Sequence, residues 1–548
     1  MDTIPIDLRL SGARVGDDPA WPAGRVAAWT RGFLALGALL RVVRYALHHP
    51  LWGDEAFLAS NLIDRDFADL IRPLHYQQVC PLLFLWAEKA VSLALGFSEF
   101  SLRLIPTLSS IAGLFLFRHV AGRLLRGPAL VLAVAILAVG FYPIRYGGEI
   151  KPYATDFLVA LGLLALAIEW LRRPDQVRYL LGLCVLGPIA VGVSHPAIFV
   201  AAGVGFSLLV PVAKTRRPAA MAAFACFGIA TLAAFLILLR VVTKSQSDNV
   251  MDMMKGYWAD AFPPRGAAAL VTWLATVHTS HMFAYPAGGE NGASTLTAGL
   301  CLAAIVAYLR RGSKSVLALL LVPFALGLTA AFLGRYPYGG SARTMQYVAP
   351  AIGLMAGLGA AVLLARVPRD RLKRHATGLI LGSLAIVGLG LLGWDVTHPY
   401  KSIYDRECRD FARRFWTDAA SGVEIACART DFGVRLDPTG WRNDRSALYL
   451  CYQAIYSPRH RRKEPARLES VAPDRPLRVV VFQERTGDAP GLNAWKAEMS
   501  KRFELQSRRV LYANRGVVNR AGIFEDRFVL YEFLPRHVAS RRGTEIRR

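Results

Sequence analysis

Acidic residues are scarce in this chain. Its 40 Asp and Glu stand against 65 Lys and Arg, a net charge of +25. In a soluble protein such an imbalance would point to nucleic acid. Here much of it lies in short connectors between apolar runs, where basic residues set membrane topology. Nucleic acid is therefore excluded as a partner. Thiol chemistry has little foothold, because the seven cysteines form no CxxC pair and fall at no metal-ligand spacing. A cleavable leader is not expected either. Met1 to Gly24 is polar, carries Asp2, Asp7, Asp17 and Asp18, and has no basic start before the first apolar run. Charge inside the apolar runs is nearly confined to Arg41 and Arg44. No inverted repeat is visible, which argues against a transporter.

What is abundant is apolar length. Hydrophobic residues make up 54% of the 548 positions, too many for a soluble protein of this size. Eleven spans are predicted, at 29–47, 101–117, 128–144, 153–171, 179–194, 197–213, 219–240, 294–309, 315–333, 345–365 and 376–394. Five of the connectors share one charge class: Arg118/Arg123/Arg126, Arg172/Arg173/Arg178, Lys214/Arg216/Arg217, Arg310/Arg311/Lys314 and Arg366/Arg369/Arg371/Lys373/Arg374. The positive-inside rule puts these in the cytoplasm, together with the N-terminus. The expected setting is the cytoplasmic membrane, crossed many times, with everything after Trp394 outside. Residues 81–97 are apolar but carry Glu88 and Lys89 at mid-segment, which a lipid-facing span tolerates poorly. They are read as an interfacial helix. With the amphipathic stretch from Ala56 to Leu70, the first outer connector, 48–100, then holds two interfacial helices.

The domain reading follows: 1–28 a cytoplasmic segment, 29–394 the membrane domain, 395–535 a small outer α/β domain and 536–548 a basic disordered tail. In the outer domain, Ser402–Trp416 and Gly491–Arg502 read as helices. Val423–Ala428, Ala447–Tyr452, Leu477–Phe482 and Phe528–Phe533 read as strands. Residues 395–548 hold 30 Lys/Arg against 20 Asp/Glu, which suits anionic headgroups or glycans as well as a plain solvated surface. Cys408, Cys427 and Cys451 lie there, and a Cys427–Cys451 disulfide is one expectation.

The register places polar residues from several connectors on the outer face. The first group is Trp52-Gly53-Asp54-Glu55. Acids there can cap a helix N-terminus, or Asp54 can act as a general base with Glu55 orienting it or sharing a cation. The second is Arg145-Tyr-Gly-Gly-Glu149-Ile-Lys151-Pro-Tyr153-Ala-Thr-Asp156. Glu149 and Lys151 form either a surface ion pair of small worth or a second acid with a phosphate-binding ammonium. The third is Arg335-Tyr-Pro-Tyr-Gly-Gly-Ser-Ala-Arg343. Its arginines can bind a phosphate or snorkel beside an aromatic belt. His75 and His195 are weaker candidates for lining the same cavity, and His48 and His49 weaker still. Glu99 and Arg103, spaced i,i+4, read as a structural pair. Arg41 and Arg44 either snorkel or face a lipid phosphate.

Four segments together carry a family resemblance: Trp52-Gly-Asp-Glu-Ala56, His75-Tyr-Gln-Gln-Val-Cys-Pro81, Ser98-Glu-Phe-Ser-Leu-Arg-Leu-Ile-Pro106 and Glu149-Ile-Lys-Pro-Tyr-Ala-Thr-Asp156. The chain resembles the GT-C fold glycosyltransferases, in the bacterial branch that is similar to dolichyl-phosphate-mannose protein mannosyltransferases and the aminoarabinose transferase of lipid A. The resemblance covers residues 30–350. It implies a GT-C-like helical membrane fold and inverting transfer from a polyprenyl-phosphate sugar to a lipid, glycan or protein acceptor. By resemblance Asp54 matches the essential first-loop acid, and Glu149 the second acidic motif. Tyr153 shares the substrate-binding stretch. Where aminoarabinose-type members carry Glu-Lys-Pro after an aromatic, this chain has Gln77-Gln78-Val79-Cys80-Pro81. A metal ligand and a phosphate-binding lysine are thereby removed. A divalent metal held by Asp54 and Glu149 stays open, and Lys151, Arg343 or Arg335 stand in for the lost positive charge. The rival readings are a lipid or glycan transporter, and a polymerase or ligase using diphosphate-linked glycans.

Overall fold

The computed structural model describes residues 21–245, 255–289, 294–310, 313–417, 425–428, 444–457, 476–484, 496–497, 499–518 and 522–537. The chain divides into two compact units, each described by itself. One comprises Met1–His48, Val79–Ala90 and Arg103–His398; the other His49–Gln78, Val91–Leu102 and Pro399–Arg548.

The first unit is helical because its long apolar runs leave the backbone no partner but itself in hydrocarbon. In chain order the helices up to residue 245 are α1 (Ala23–Ala46), α2 (Gly53–Asp64), which belongs to the second unit, α3 (Leu82–Leu95), α4 (Glu99–Leu124), α5 (Gly127–Ala138), α6 (Phe141–Gly147), α7 (Tyr153–Arg172), α8 (Arg178–Val193), α9 (Ala197–Thr215) and α10 (Pro218–Ser245). Then come α11 (Ala267–His278), α12 (Thr295–Arg310), α13 (Lys314–Phe332), α14 (Ala349–Leu364) and α15 (Asp370–Thr397). Among the described residues, eight helices are long and apolar enough to cross a membrane, or nine if the pair α5 and α6, bent by 45°, counts as one span. α8 and α12 are apolar but only sixteen residues each. Each of the eleven predicted spans falls on one of these helices or on the bent pair. The chain is a multi-pass membrane protein. α3 has fourteen residues, about 21 Å at 1.5 Å per residue, too short for a hydrocarbon layer of about 30 Å.

The spans differ in how much of them is enclosed. The crossing Ala342–Leu364 is 83% buried and α7 78%, whereas Pro218–Val241 is 17% and Arg371–Thr397 22% buried. The first two are the central helices of the bundle. α14 earns its central place through glycine. A Cβ on Gly357 would run into the backbone of Ala133 on α5, and one on Gly359 into the carbonyl of Leu300 on α12. With no hydrophobic drive between helices in lipid, such close approach of small residues supplies much of the association.

The break between α5 and α6 is repaired by α1 and α4. Arg41 is buried, and its guanidinium donates to the carbonyls of Ala138 at 2.9 Å and Leu137 at 3.4 Å, and to Ser110 Oγ at 2.8 Å. Ser110 in turn donates to the Pro143 carbonyl at 2.7 Å. Arg41 therefore neither snorkels nor faces a lipid phosphate: the carbonyls freed by the bend take its donors. Arg44 forms an ion pair with Asp395. Gly148 lies against the Arg44 side chain, 3.1 Å from where a Cβ would stand.

In the second unit, α16 (Ile403–Thr417) and α17 (Asp444–Tyr456) accompany a sheet of β1 (Ile425–Ala428), β2 (Leu477–Glu484), β3 (Phe503–Val518) and β4 (Gly522–Pro535). The strand order is β1-β2-β4-β3. β1 runs parallel to β2; the β2–β4 and β3–β4 pairs are antiparallel. Val479, Val481, Phe503, Val529 and Tyr531 fill its inner face. One expectation fails here. Ala447–Tyr452 is not a strand but part of α17. Ala447, Leu448, Cys451, Tyr452 and Ile455 are the buried positions, a 3–4 residue spacing that aromatic and β-rich composition disguised. The sixteen-residue β3 was not foreseen, because Arg508 and Arg509 interrupt its apolar pattern. Glu99, read as the partner of Arg103, takes Arg409 at 3.9 Å and the Tyr456 hydroxyl at 3.4 Å. The Cys427 side chain, half of Gly491–Arg502 and the tail after 537 lie outside the described residues; the described residues 496–497 and 499–502 are helical.

Replacing Gly357 with Leu should separate α14 from α5 and cost about 1–3 kcal/mol or more through overpacking. Thermal unfolding of the purified protein in detergent checks this, with Gly378→Leu, at a position where a Cβ meets nothing within 4 Å, as the control.

Candidate functional site

The two acids of the first loop have different surroundings. Trp52, in extended conformation, caps α2. Glu55, the third helical residue, turns back so that the Trp52 backbone N–H donates to its Oε2 at 3.3 Å. It is 1% exposed. Its carboxylate closes a capping box, the role that stabilises a first helical turn. Asp54, one residue earlier, is only part-buried. The start of α2 is braced from α17. The Leu51 N–H donates to Tyr452 Oη at 3.1 Å, and the Cys451 thiol to the Ala56 carbonyl at 3.7 Å. Lys401 places its ammonium over the Trp52 ring.

His75 is held to the same helix by Asn61. Asn61 Oδ1 accepts from the His75 N–H at 2.7 Å, and Nδ2 donates to its carbonyl at 3.4 Å. Partial desolvation, and next the Arg65 guanidinium, keep the His75 imidazole below the ordinary histidine value. Tyr76, at φ 58°, stacks on Phe57 with centroids 5.0 Å apart.

The turn from α6 to α7 in the other unit gathers most of the remaining candidates. Glu149 and Lys151 are both buried, at 5% and 8% exposure, so this is no surface ion pair. Arg145 Nε donates to Glu149 Oε1 at 3.1 Å. The Lys151 N–H donates to the Glu149 carbonyl at 2.8 Å, tightening the turn before Pro152 caps α7. Tyr146 stacks on Tyr142 and meets Tyr153 edge-on at 5.2 Å. The charges of Glu149, Arg145 and Arg343 all act on the Tyr146 hydroxyl. Lys151, Glu88 and Asp156 act likewise on Cys80, whose thiol burial pushes far up and so keeps protonated. Glu149, Lys151, Tyr153 and Arg343 thus share one neighbourhood.

That neighbourhood continues along the loop before α14. Arg343 donates to Tyr257 Oη at 2.7 Å and lies 4.4 Å from the centre of the Trp258 ring. A guanidinium flanked by two aromatic faces is fixed in orientation. Tyr336 donates to the Thr344 carbonyl at 2.9 Å, and Asp156, Tyr347 and Tyr153 act on its phenol. Asp156 lies beside Ser194, next to His195. Burial pushes the His195 imidazole down to about 4, so it is neutral at pH 7. Its Nε2 is buried without a hydrogen-bond partner. Arg335, by contrast, is exposed at the far end of the loop. Arg145, Tyr146, Asp156, Tyr257 and Trp258 had no site role in the sequence reading. The adjacent aromatic pair at 257–258 was the available signal.

The donor set for a metal is absent among the described residues. No three His, Cys, Asp or Glu side chains come together in a way that would hold an ion, and the Glu149 carboxylate is engaged by Arg145. The described residues therefore do not fit a metal.

No family model matches the sequence, and no curated protein does. Solved structures of similar fold are found. One is ArnT from Cupriavidus metallidurans bound to undecaprenyl phosphate, 14% identical, with 92% of this chain and 98% of that one covered at a TM-score of 0.49. Another is the Archaeoglobus fulgidus oligosaccharyltransferase tethered with an acceptor peptide, 13% identical, covering 79% and 64% at 0.47. A third is AglB from Archaeoglobus fulgidus in complex with an inhibitory peptide and a dolichol-phosphate, 12% identical, covering 79% and 65% at 0.44.

Glu55→Ala should remove the cap and cost about 0.5–2 kcal/mol, whereas Asp54→Asn should leave stability unchanged. Paired thermal melts of the two variants decide between the roles.

Proposed function

We propose that this protein is an inverting glycosyltransferase. It moves a sugar from a polyprenyl-phosphate donor to a lipid, glycan or protein acceptor at the outer face of the cytoplasmic membrane. The observation that carries the reading is the grouping of Arg145, Glu149, Lys151 and Arg343 with Tyr146 and Tyr153, where the ends of apolar helices meet polar loops. A phosphate on a long apolar tail needs that combination: fixed cations for the head, with apolar helix surface next to them.

In this reading the acceptor hydroxyl attacks the anomeric carbon from the face opposite the phosphate. Asp54 takes the hydroxyl proton as the new C–O bond forms. The bond from the anomeric carbon to the phosphate oxygen breaks, and its electron pair leaves with polyprenyl phosphate. Lys151 and Arg343 hold that developing charge, with Arg343 kept in orientation by Tyr257 and Trp258. Glu149 orients Arg145 and limits the net positive charge of the pocket. Asp54 suits the base role better than Glu55, whose carboxylate is committed to the helix cap. The resemblance of the first-loop motif to the GT-C transferases supports the same assignment. The N-terminus then lies in the cytoplasm and the C-terminal unit outside.

Asp54→Asn should lower transfer by about 10²–10⁴-fold, the usual worth of a positioned base. Mass spectrometry of membrane lipids from cells carrying the wild type, a deletion or Asp54→Asn checks this. A polyprenyl-monophosphate sugar accumulating equally in deletion and mutant supports the reading. A diphosphate-linked glycan accumulating instead favours the polymerase or ligase. An unmodified pool with substrate trapped on the inner face favours the transporter.

A further inference from the structure

The connector between α10 and α12 contains no predicted span, yet it packs closely against the 335–343 loop. His278 ends α11. Its Nδ1 lies 2.7 Å from the Leu274 carbonyl and its Nε2 3.0 Å from the Tyr338 hydroxyl. A carbonyl only accepts, so Nδ1 carries the ring hydrogen. Nε2 of the neutral ring is then an acceptor, and Tyr338 donates to it. Tyr338 is 1% exposed. Its N–H donates to the Ala261 carbonyl at 2.9 Å, and its ring faces Trp273, whose Nε1 donates to the Asp260 carbonyl at 2.9 Å. The next two residues allow no side chain. Gly339, at φ +76°, has Val277 where a Cβ would stand, and Gly340 has Ala261. Tyr257 and Trp258, which flank Arg343, directly precede the Ala259–Ala261 turn.

We propose that His278 is a positioning residue: as a neutral imidazole accepting from Tyr338, it fixes the 335–343 loop and so sets Arg343 against the phosphate of the lipid donor. The proposal rests on the phosphate-binding role given to Arg343 above. It extends the site to a residue that touches neither substrate nor the reacting atoms. A protonated His278 would turn Nε2 into a donor and leave the buried Tyr338 hydrogen without an acceptor. Burial already opposes that form and holds the imidazole below its ordinary 6.5. The neutral bond is therefore complete above that value and is lost as pH falls through the lower, folded one. The charged and titratable groups on the surrounding elements are Lys255, Tyr257, Asp260 and Arg265 before α11, His281 after it, and Arg335, Tyr336, Tyr338 and Arg343 on the loop.

The test is binding of undecaprenyl monophosphate to the full-length protein in nanodiscs, by calorimetry from pH 8 to pH 5. His278→Leu and Tyr338→Phe should each weaken binding about tenfold at pH 7.5, the size expected from one lost buried hydrogen bond. His278→Gln, whose amide can accept from Tyr338 and donate to Leu274, should bind within about threefold of wild type. It should also lose the part of the acid-side fall that belongs to histidine, leaving only the titration of the phosphate itself. The proposal is overturned if His278→Leu binds like wild type with the same pH profile while Arg343→Ala has lost binding. If Arg343→Ala binds normally, the phosphate reading of that arginine fails instead. Should His278→Leu not fold, the near-isosteric His278→Gln and Tyr338→Phe carry the decision through their pH profiles.

Discussion

In hydrocarbon a backbone carbonyl has no water to turn to, and this constraint governs the membrane unit. A straight helix meets it automatically. A bent one does not, and the bend between α5 and α6 leaves carbonyls without partners. Arg41 and Ser110 supply the donors from neighbouring helices. Because the bend is satisfied, α6 can end at Gly147, and the chain can turn sharply through Gly148 to place Glu149 and Lys151 ahead of α7. A buried arginine near the C-terminal end of α1 is thus the precondition for a polar turn at the end of α6.

The candidate residues show how one residue type serves both architecture and chemistry. Asp54 and Glu55 are adjacent and alike in charge, but a helix N-terminus treats them differently. The third position reaches back to the cap and is spent on the fold; the second does not. Glu149 sits between these cases, since pairing with Arg145 makes it affordable to bury and at the same time orients a guanidinium. Arg343 is held otherwise. Its neighbours Tyr257 and Trp258 constrain its direction through a hydrogen bond and a ring face.

Much of the membrane unit was legible in the sequence, because uninterrupted apolar length has few structural meanings. Glu88 and Lys89 at mid-segment kept 81–97 out of the list of predicted spans, and the helix there, α3, is not among the candidate spans. The motif at 145–156 and the loop at 335–343 were also visible as polar, glycine-bearing breaks. Less legible was anything set by a partner distant in sequence. Arg41 reads as a lipid-facing cation until Ala138 is beside it, and the cation clamp needs Tyr257 and Trp258 from a connector without strong pattern. In the second unit, α17 was mistaken for a strand because tyrosine and leucine favour both structures. Only the spacing of its buried positions separates them.

α8 and α12 are sixteen residues long, so each reaches about 24 Å at 1.5 Å per residue. The surrounding lipid tails span about 30 Å. Short crossings are matched by pulling the two leaflets together or by flanking side chains that reach outward. Arg178 and Arg310, at the ends of these two helices, are suited to that reach. A helix of that length crosses only where the bilayer thins or its flanking arginines reach the headgroups.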